Sequence, residues 1–356
     1  MTKPTSAPSA LAERALQDRV VSRIWDRDTS VWGVAPASAE ASTITRRLGW
    51  LEVHRTMPPE VERIERVVDD ARRERVKAVI LIATRTSGLG ADVIQRTLAR
   101  ADDRPDFQIV PSSNPAVDRA ALGGLDIGRT WIVVASKTGR SPEVLEMERQ
   151  LRARFGEALG GKAPRQFIAL TDPGTDLQEL ATATRYREVF LNPPDIGERF
   201  SVLSLFGLLP AGLIGVSPRD LLTAGTTMSK GCLQENHANA GLELGAFLAA
   251  AVQDGRDRLE LWLAPSLSPL APWIASLIRP LFPRTGNGRP AIVAIASDRD
   301  EPDANAIEAA ERDGHPMMRL SIRLDNLGAE FFRWEFATAV AGALLGISPF
   351  QDPDEE

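Results

Sequence analysis

Between Ala135 and Glu143 the chain reads ASKTGRSPE, where a run of apolar residues, Thr130–Ser136 (TWIVVAS), gives way to a helical pattern beginning at Pro142. Ser136, Thr138 and Ser141 can offer hydroxyls there, and Gly139 lets the backbone approach a ligand closely. The free N–H groups and the dipole of the following helix attract an anion, so a phosphate suits the loop. Ordinary capping chemistry uses the same residues, with Ser141 as the cap, Pro142 at the first helical position and Glu143 in the first turn. Residue chemistry alone leaves both readings open.

A second stretch with chemical potential is QENHANAG, in which Glu235 and His237 are side chains able to transfer protons near neutral pH. The competing reading is a plain helix approach capped by Asn236 or Asn239. His315, in GHPMMRL, precedes a strand and reads as a turn residue, and His54, beside Glu52, reads as solvated. Cys232 is the single cysteine and cannot form an internal disulfide.

The elements that must position these residues alternate. Ala78–Thr84 (AVILIAT), Phe107–Pro111, Thr130–Ser136, Gln166–Thr171 and Glu188–Leu191 read as strands, with helices at Pro59–Arg75, Pro142–Phe155 and Asp176–Ala183. After a helical stretch from Arg199 to about Ser229 a second cycle follows. Its helices are Gly241–Val252, Leu270–Leu281, Ala304–Arg312 and Asn326–Leu345, and its strands are Arg258–Ala264, Ala291–Ser297 and Met317–Ile322. Continuous apolar strands separated by helices predict an α/β fold with parallel sheets flanked by helices on both faces, a doubly wound three-layer sandwich in each of two lobes. The expected divisions are an N-terminal helical segment (1–58, with one amphipathic helix over Leu11–Val31), a first lobe with the phosphate loop (59–230) and a second lobe (231–356). Loops are expected around Gly286 and Pro302.

Composition narrows the function. Hydrophobic residues at 43% and charged residues at 25% describe a globular chain with a real core, and 356 residues is enough for two lobes. Forty-two basic against 48 acidic side chains give a net charge of −6, and no basic block with interleaved aromatics occurs, so nucleic acid is not an expected partner. No apolar stretch is long enough to span a bilayer. The N-terminus lacks the layout of a secretory signal, and with the lone cysteine this leads to an expected cytoplasmic location.

The loop Ala135–Glu143 resembles the SKSGTT-type phosphate loop of sugar isomerase domains. Four further segments, LGW (Leu48–Trp50), TDPGTDLQELA (Thr171–Ala181), NPPDIGERFSVLSLFGLLPAGL (Asn192–Leu213) and LGAEFFRWEFATAVAGALLGISPFQDPD (Leu327–Asp354), are similar to glucose-6-phosphate isomerase. The likeness is to the isomerase part of bacterial transaldolase/glucose-6-phosphate isomerase fusions, over nearly the whole chain. It implies a small phosphorylated sugar as ligand, bound without metal or organic cofactor. It places Ser136, Lys137, Thr138, Arg140 and Ser141 around the phosphate and Ser87 and Glu143 near the sugar. Arg199, in IGERFS, matches the Arg of a VGGRYS-like motif that steadies the enediolate, a task suited to a permanently charged guanidinium. A homodimer, or association with a transaldolase-type partner, is also implied.

The chain departs from that pattern in three places. Arg85 and Thr86 stand on the paired glycines of a GGSS-type turn, so side chains are expected to restrict the pocket floor. The general-base Glu of an ESTGK-like motif falls on Pro280, and no Asp or Glu occurs between Glu260 and Asp298. The chain ends at Glu356, where related chains continue into a helix with a substrate-contacting Lys. Impaired catalysis is the expectation, with Glu235 and His237 as the substitute acid–base candidates; a non-catalytic sugar-phosphate sensor or regulatory subunit is the alternative.

Overall fold

The computed structural model describes residues 8–98, 104–111, 124–256, 258–282 and 290–350. The loop expected around Gly286 and the residues after Phe350 lie mostly or wholly outside these ranges. Two compact units emerge: Glu52–Leu222, and a second in which the residues up to Leu51 fold together with those from Thr223 onward.

In the Glu52–Leu222 unit, β1 (Ala78–Ala83), β2 (Asp106–Pro111), β3 (Thr130–Ala135), β4 (Phe167–Thr171) and β5 (Glu188–Leu191) form one sheet of order β2-β1-β3-β4-β5. Every pair is parallel. Each residue of β1, β3 and β4 is buried, which is what continuous Val, Ile and Leu runs require when helices cover both faces. The helix Pro142–Leu159 turns Val144, Met147, Leu151 and Phe155 toward that sheet, a spacing of three and four residues that lines up one face. Ala83 lies opposite Ala135, so β1 and β3 finish level. The chain leaves β1 for β2 on one side and β3 for β4 on the other. The gap between these two strand ends is therefore the topological switch point, where ligands bind in open α/β sheets.

Residues Arg85–Thr97 form a helix where the sequence reading placed only a turn. Its two glycines each weaken helix propensity by about 1 kcal/mol relative to alanine, which hid the element. Packing explains them: the helix presses so close that a Cβ on Gly90 would lie 2.8 Å from Val202 Cγ2.

In the second unit β6 (Arg258–Leu263), β7 (Pro290–Ser297) and β8 (Met317–Ile322) make a parallel sheet of order β6-β7-β8. Its core is aromatic. Phe332 of the helix Leu327–Leu345 has ring centroids of Trp50 and Trp25 at 5.5 and 6.1 Å, and Trp273 meets Phe331 edge-on at 5.0 Å. Gly241 and Gly245 let the helix Ala240–Gln253 lie directly on that helix, since a Cβ on Gly245 would meet Val340 Cβ at 2.7 Å. The amphipathic pattern over Leu11–Val31 is two helices, Pro8–Gln17 and Val20–Trp25, and a short 3₁₀ turn, because Arg19 takes φ 53° and breaks the first from the second. The stretch from Arg199 likewise divides into helices Leu205–Ile214 and Pro218–Gly231, the first ended by Gly215 at φ 101°. Among the described residues no helix is long and apolar enough to cross a membrane.

Candidate phosphosugar site at the sheet switch point

The loop after β3 is built by its neighbours. Ser136 N–H donates to Leu170 O at 3.0 Å and Asp172 N–H to Lys137 O at 3.1 Å, which fasten the loop to the end of β4. Gly139 turns it, with φ 65° and its N–H on Ser136 O at 3.2 Å. No other residue fits there: a Cβ would stand 2.6 Å from Thr175 Cβ. Ser136 is fully buried, and its hydroxyl lies 3.2 Å from that of Ser141. Ser141 occupies the cap position of the helix Pro142–Leu159, yet its side chain makes no capping hydrogen bond. The helix start thus keeps its positive end and first N–H groups open to an anion, beside two paired hydroxyls. That geometry departs from the plain capping alternative.

Lys137 ion-pairs with the Asp172 carboxylate and also reaches Pro194 O at 3.3 Å. Its ammonium is therefore committed to holding the β4 end in place. Thr138 Oγ1 accepts from Arg140 N–H at 3.3 Å, and the exposed Arg140 lies 3.7 Å from Asp176. Glu143 is exposed in the first turn of the helix.

At the neighbouring end of β1, Thr84 caps the helix Arg85–Thr97 by accepting from Ser87 N–H at 3.2 Å. Arg85 is exposed and Thr86 half-buried, whereas Ser87 is buried. The hydroxyls of Thr84 and Ser87 both donate to Glu198 Oε1. Glu198 and Arg199 belong to a short 3₁₀ turn, Glu198–Phe200, after β5, and Arg199 is only 8% exposed. The sequence reading assigns Glu198 no role. Its signal was present in the string itself, because in IGERFS it occupies a glycine of the VGGRYS-like motif.

Glu235 and His237 belong to the other unit, and their side chains bond to separate partners. His237 Nδ1 lies 2.6 Å from Glu243 Oε1 and its Nε2 3.0 Å from Glu13 Oε1, while Glu235 accepts from Ser22 N–H at 3.3 Å. The two carboxylates, Glu243 first and then Glu13, raise the His237 pKa by stabilising the imidazolium. The helix cap here is Asn239, whose Oδ1 accepts from Leu242 N–H at 2.9 Å. Pro280 lies in a turn just past the helix Leu270–Ile278, which carries no carboxylate.

A parallel sheet of this order, with a hydroxyl-lined loop and an open helix start at its switch point, defines an α/β domain of the sugar isomerase type. The chain belongs to the Phosphoglucose isomerase family, whose pattern matches residues 52–252. It is 26% identical over 338 residues to glucose-6-phosphate isomerase of Rubrobacter xylanophilus, covering 76% of this chain and 78% of that one. The same enzyme of Prochlorococcus marinus is 33% identical over 192 residues, 52% of this chain and 34% of its own length. Among solved structures, a hypothetical protein from Thermus thermophilus superposes with TM-score 0.78 at 19% identity, covering 98% of this chain and 94% of that one. A glucose-6-phosphate isomerase from Chlamydia trachomatis gives TM-score 0.72 at 16% identity, over 97% and 82%. These two likenesses are of fold.

Proposed function

We propose that the chain binds a small phosphorylated sugar, with the phosphate at Ser136, Ser141 and the start of the helix Pro142–Leu159 and the sugar toward Ser87 and Arg199. The single observation that supports this reading is the uncapped helix start beside the paired Ser136 and Ser141 hydroxyls, level with the end of β1. Thr138, Arg140 and Glu143 flank the same loop at its solvent side, where they tune affinity rather than create it. Glucose 6-phosphate and fructose 6-phosphate are the ligands proposed, by kinship with the relatives named above. Their interconversion requires proton abstraction beside the carbonyl to give an enediolate, which the Arg199 guanidinium is suited to stabilise.

Proton abstraction is the step this chain is poorly equipped to perform. Pro280 has no titratable group, no Asp or Glu occurs between Glu260 and Asp298, and His237 is held by two carboxylates. We therefore propose strongly impaired catalysis in a cytoplasmic sugar-phosphate-binding protein, with recognition outlasting turnover. A purely non-catalytic sensor is the limiting form of the same reading. Calorimetric titration with glucose 6-phosphate tests it: binding is expected in the parent protein and loss in Ser136→Ala/Ser141→Ala. Equal affinity in both removes the loop from the ligand site.

A further inference from the structure

At the opposite, amino-terminal edge of the same sheet lies a cavity of about 420 Å³. Arg72, Arg75, Lys77, Arg104 and Arg129 all line it, and among the described residues no Asp or Glu side chain does. Lys77 and Arg129 immediately precede β1 and β3, and Arg104 stands two residues before β2. The strand ends themselves thus deliver three of the five cations to one mouth. Six residues at about 3.3 Å each separate it from the switch point by roughly 20 Å, so it is distinct from the phosphate loop.

Such a concentration runs against the composition, since the chain as a whole carries −6. Arg72 and Lys77 keep carboxylate partners outside the lining, Asp69 and Asp126, each at 3.3 Å. Arg75 and Arg129 are exposed at the mouth and have no ion-pair partner among the described residues. Like charges gathered in one concavity repel one another, and the repulsion falls when an anion enters. Guanidinium forks match phosphate oxygens in pairs, which an ammonium cluster does not do. The floor is of a different kind: Val68, Ala71 and Leu213 are buried apolar side chains facing the same space. A cationic rim over an apolar floor, in a volume within the ordinary range of roughly 300–1,000 Å³ for small-molecule pockets, suits an amphipathic anion rather than a bare one.

We propose that this cavity is a second ligand site, for an organic phosphate with a planar or apolar body, the chemistry of a nucleotide. The phosphates meet the arginines at the mouth and the body covers Val68 and Leu213. The inference is independent of the phosphosugar reading.

The probes are ATP, inorganic pyrophosphate and adenosine, titrated calorimetrically into the full chain. ATP is expected to bind at one site, at least about tenfold more tightly than either fragment, with affinity falling steeply as salt rises. Arg75→Asn/Arg129→Gln is expected to weaken ATP binding at least about tenfold; Asn suits position 75, where φ is 54°. Ser136→Ala/Ser141→Ala is expected to leave it unchanged. In the parent protein, ATP is also expected to protect Arg75 and Arg129 from phenylglyoxal, read by mass spectrometry, a measurement that does not depend on the variant folding. The proposal is overturned by absence of ATP binding at millimolar concentration, by undiminished affinity in Arg75→Asn/Arg129→Gln, or by loss in the loop variant instead. Unprotected arginines or pyrophosphate binding as tightly as ATP overturn it too.

Discussion

Thr84 Oγ1 donates a 2.6 Å hydrogen bond to Glu198 Oε1, and Ser87 Oγ donates to the same oxygen. A carboxylate from beyond β5 thereby takes both hydroxyls at the end of β1, on the side where the sugar is proposed to lie. Hydrogen bonds to a charged group contribute about 1.5–3 kcal/mol, so Glu198→Gly is expected to lower the melting temperature. It is also expected to increase affinity for glucose 6-phosphate, because Thr84 and Ser87 become available. Melting curves with and without the sugar phosphate check both. A weaker ligand shift in a folded Glu198→Gly variant would mean that Glu198 itself holds the sugar.

Gly139 offers a sharper test of the phosphate loop. An alanine there must hold φ near 65° and place its Cβ 2.6 Å from Thr175 Cβ. Forced conformations of this kind cost on the order of 1–3 kcal/mol. Gly139→Ala is expected to reduce stability by that amount and to abolish the thermal shift given by glucose 6-phosphate. Retention of the full shift would separate ligand binding from the loop's shape.

Turnover should be slow. A positioned general base contributes about 10²–10⁴-fold, and Arg199 cannot substitute for it, because no enediolate forms without proton abstraction. The purified chain is expected to isomerise fructose 6-phosphate at least about a hundredfold more slowly than glucose-6-phosphate isomerase of Rubrobacter xylanophilus in a coupled assay. Pro280→Glu alone should recover little, since Arg279, Leu281 and Phe282 differ from the ESTGK-like motif as well. Rates equal to the Rubrobacter enzyme would refute the impairment, and Glu198→Gln would then be the first variant to assay for loss.

Two buried acids on the helix Leu327–Leu345 set a pH dependence. Burial raises the Glu330 pKa from 4.5 to about 7, with Arg333 at 3.1 Å partly opposing the shift. Burial raises Glu335 too, and neither of its oxygens has a hydrogen-bond partner among the described residues. Groups whose folded pKa exceeds the unfolded one stabilise fully below the unfolded pKa, and that contribution is lost as pH rises through the folded pKa. For Glu330 the window runs from 4.5 to about 7. At about 1.4 kcal/mol for each pH unit, the loss across it is on the order of 3 kcal/mol. Denaturant unfolding from pH 5 to 8 is expected to show this decline, and Glu335→Gln to flatten it at the alkaline end. A parent stability that rises steadily with pH would contradict the assignment.

Periodicity and composition by themselves determined the strands: β5 and β8 carry the very bounds expected, and the remaining strands differ by a residue at one end or the other. Buried parallel strands are uninterrupted apolar runs, a local signal that neighbours cannot mask. The loop proposed to hold the phosphate was legible for the same reason, since Ser136, Gly139 and Ser141 lie within six residues of one another. Other features depended on partners remote in sequence. The Arg85–Thr97 helix forms against its glycines because Val202 packs on Gly90. The carboxylate bound by Ser87 comes from position 198, and the partners of His237 come from positions 13 and 243. Five cations spread from residue 72 to residue 129 share one cavity because parallel strands start along a common edge. A chain's own string specifies what each segment prefers, whereas which side chains meet depends on long-range packing, and that only the tertiary structure decided.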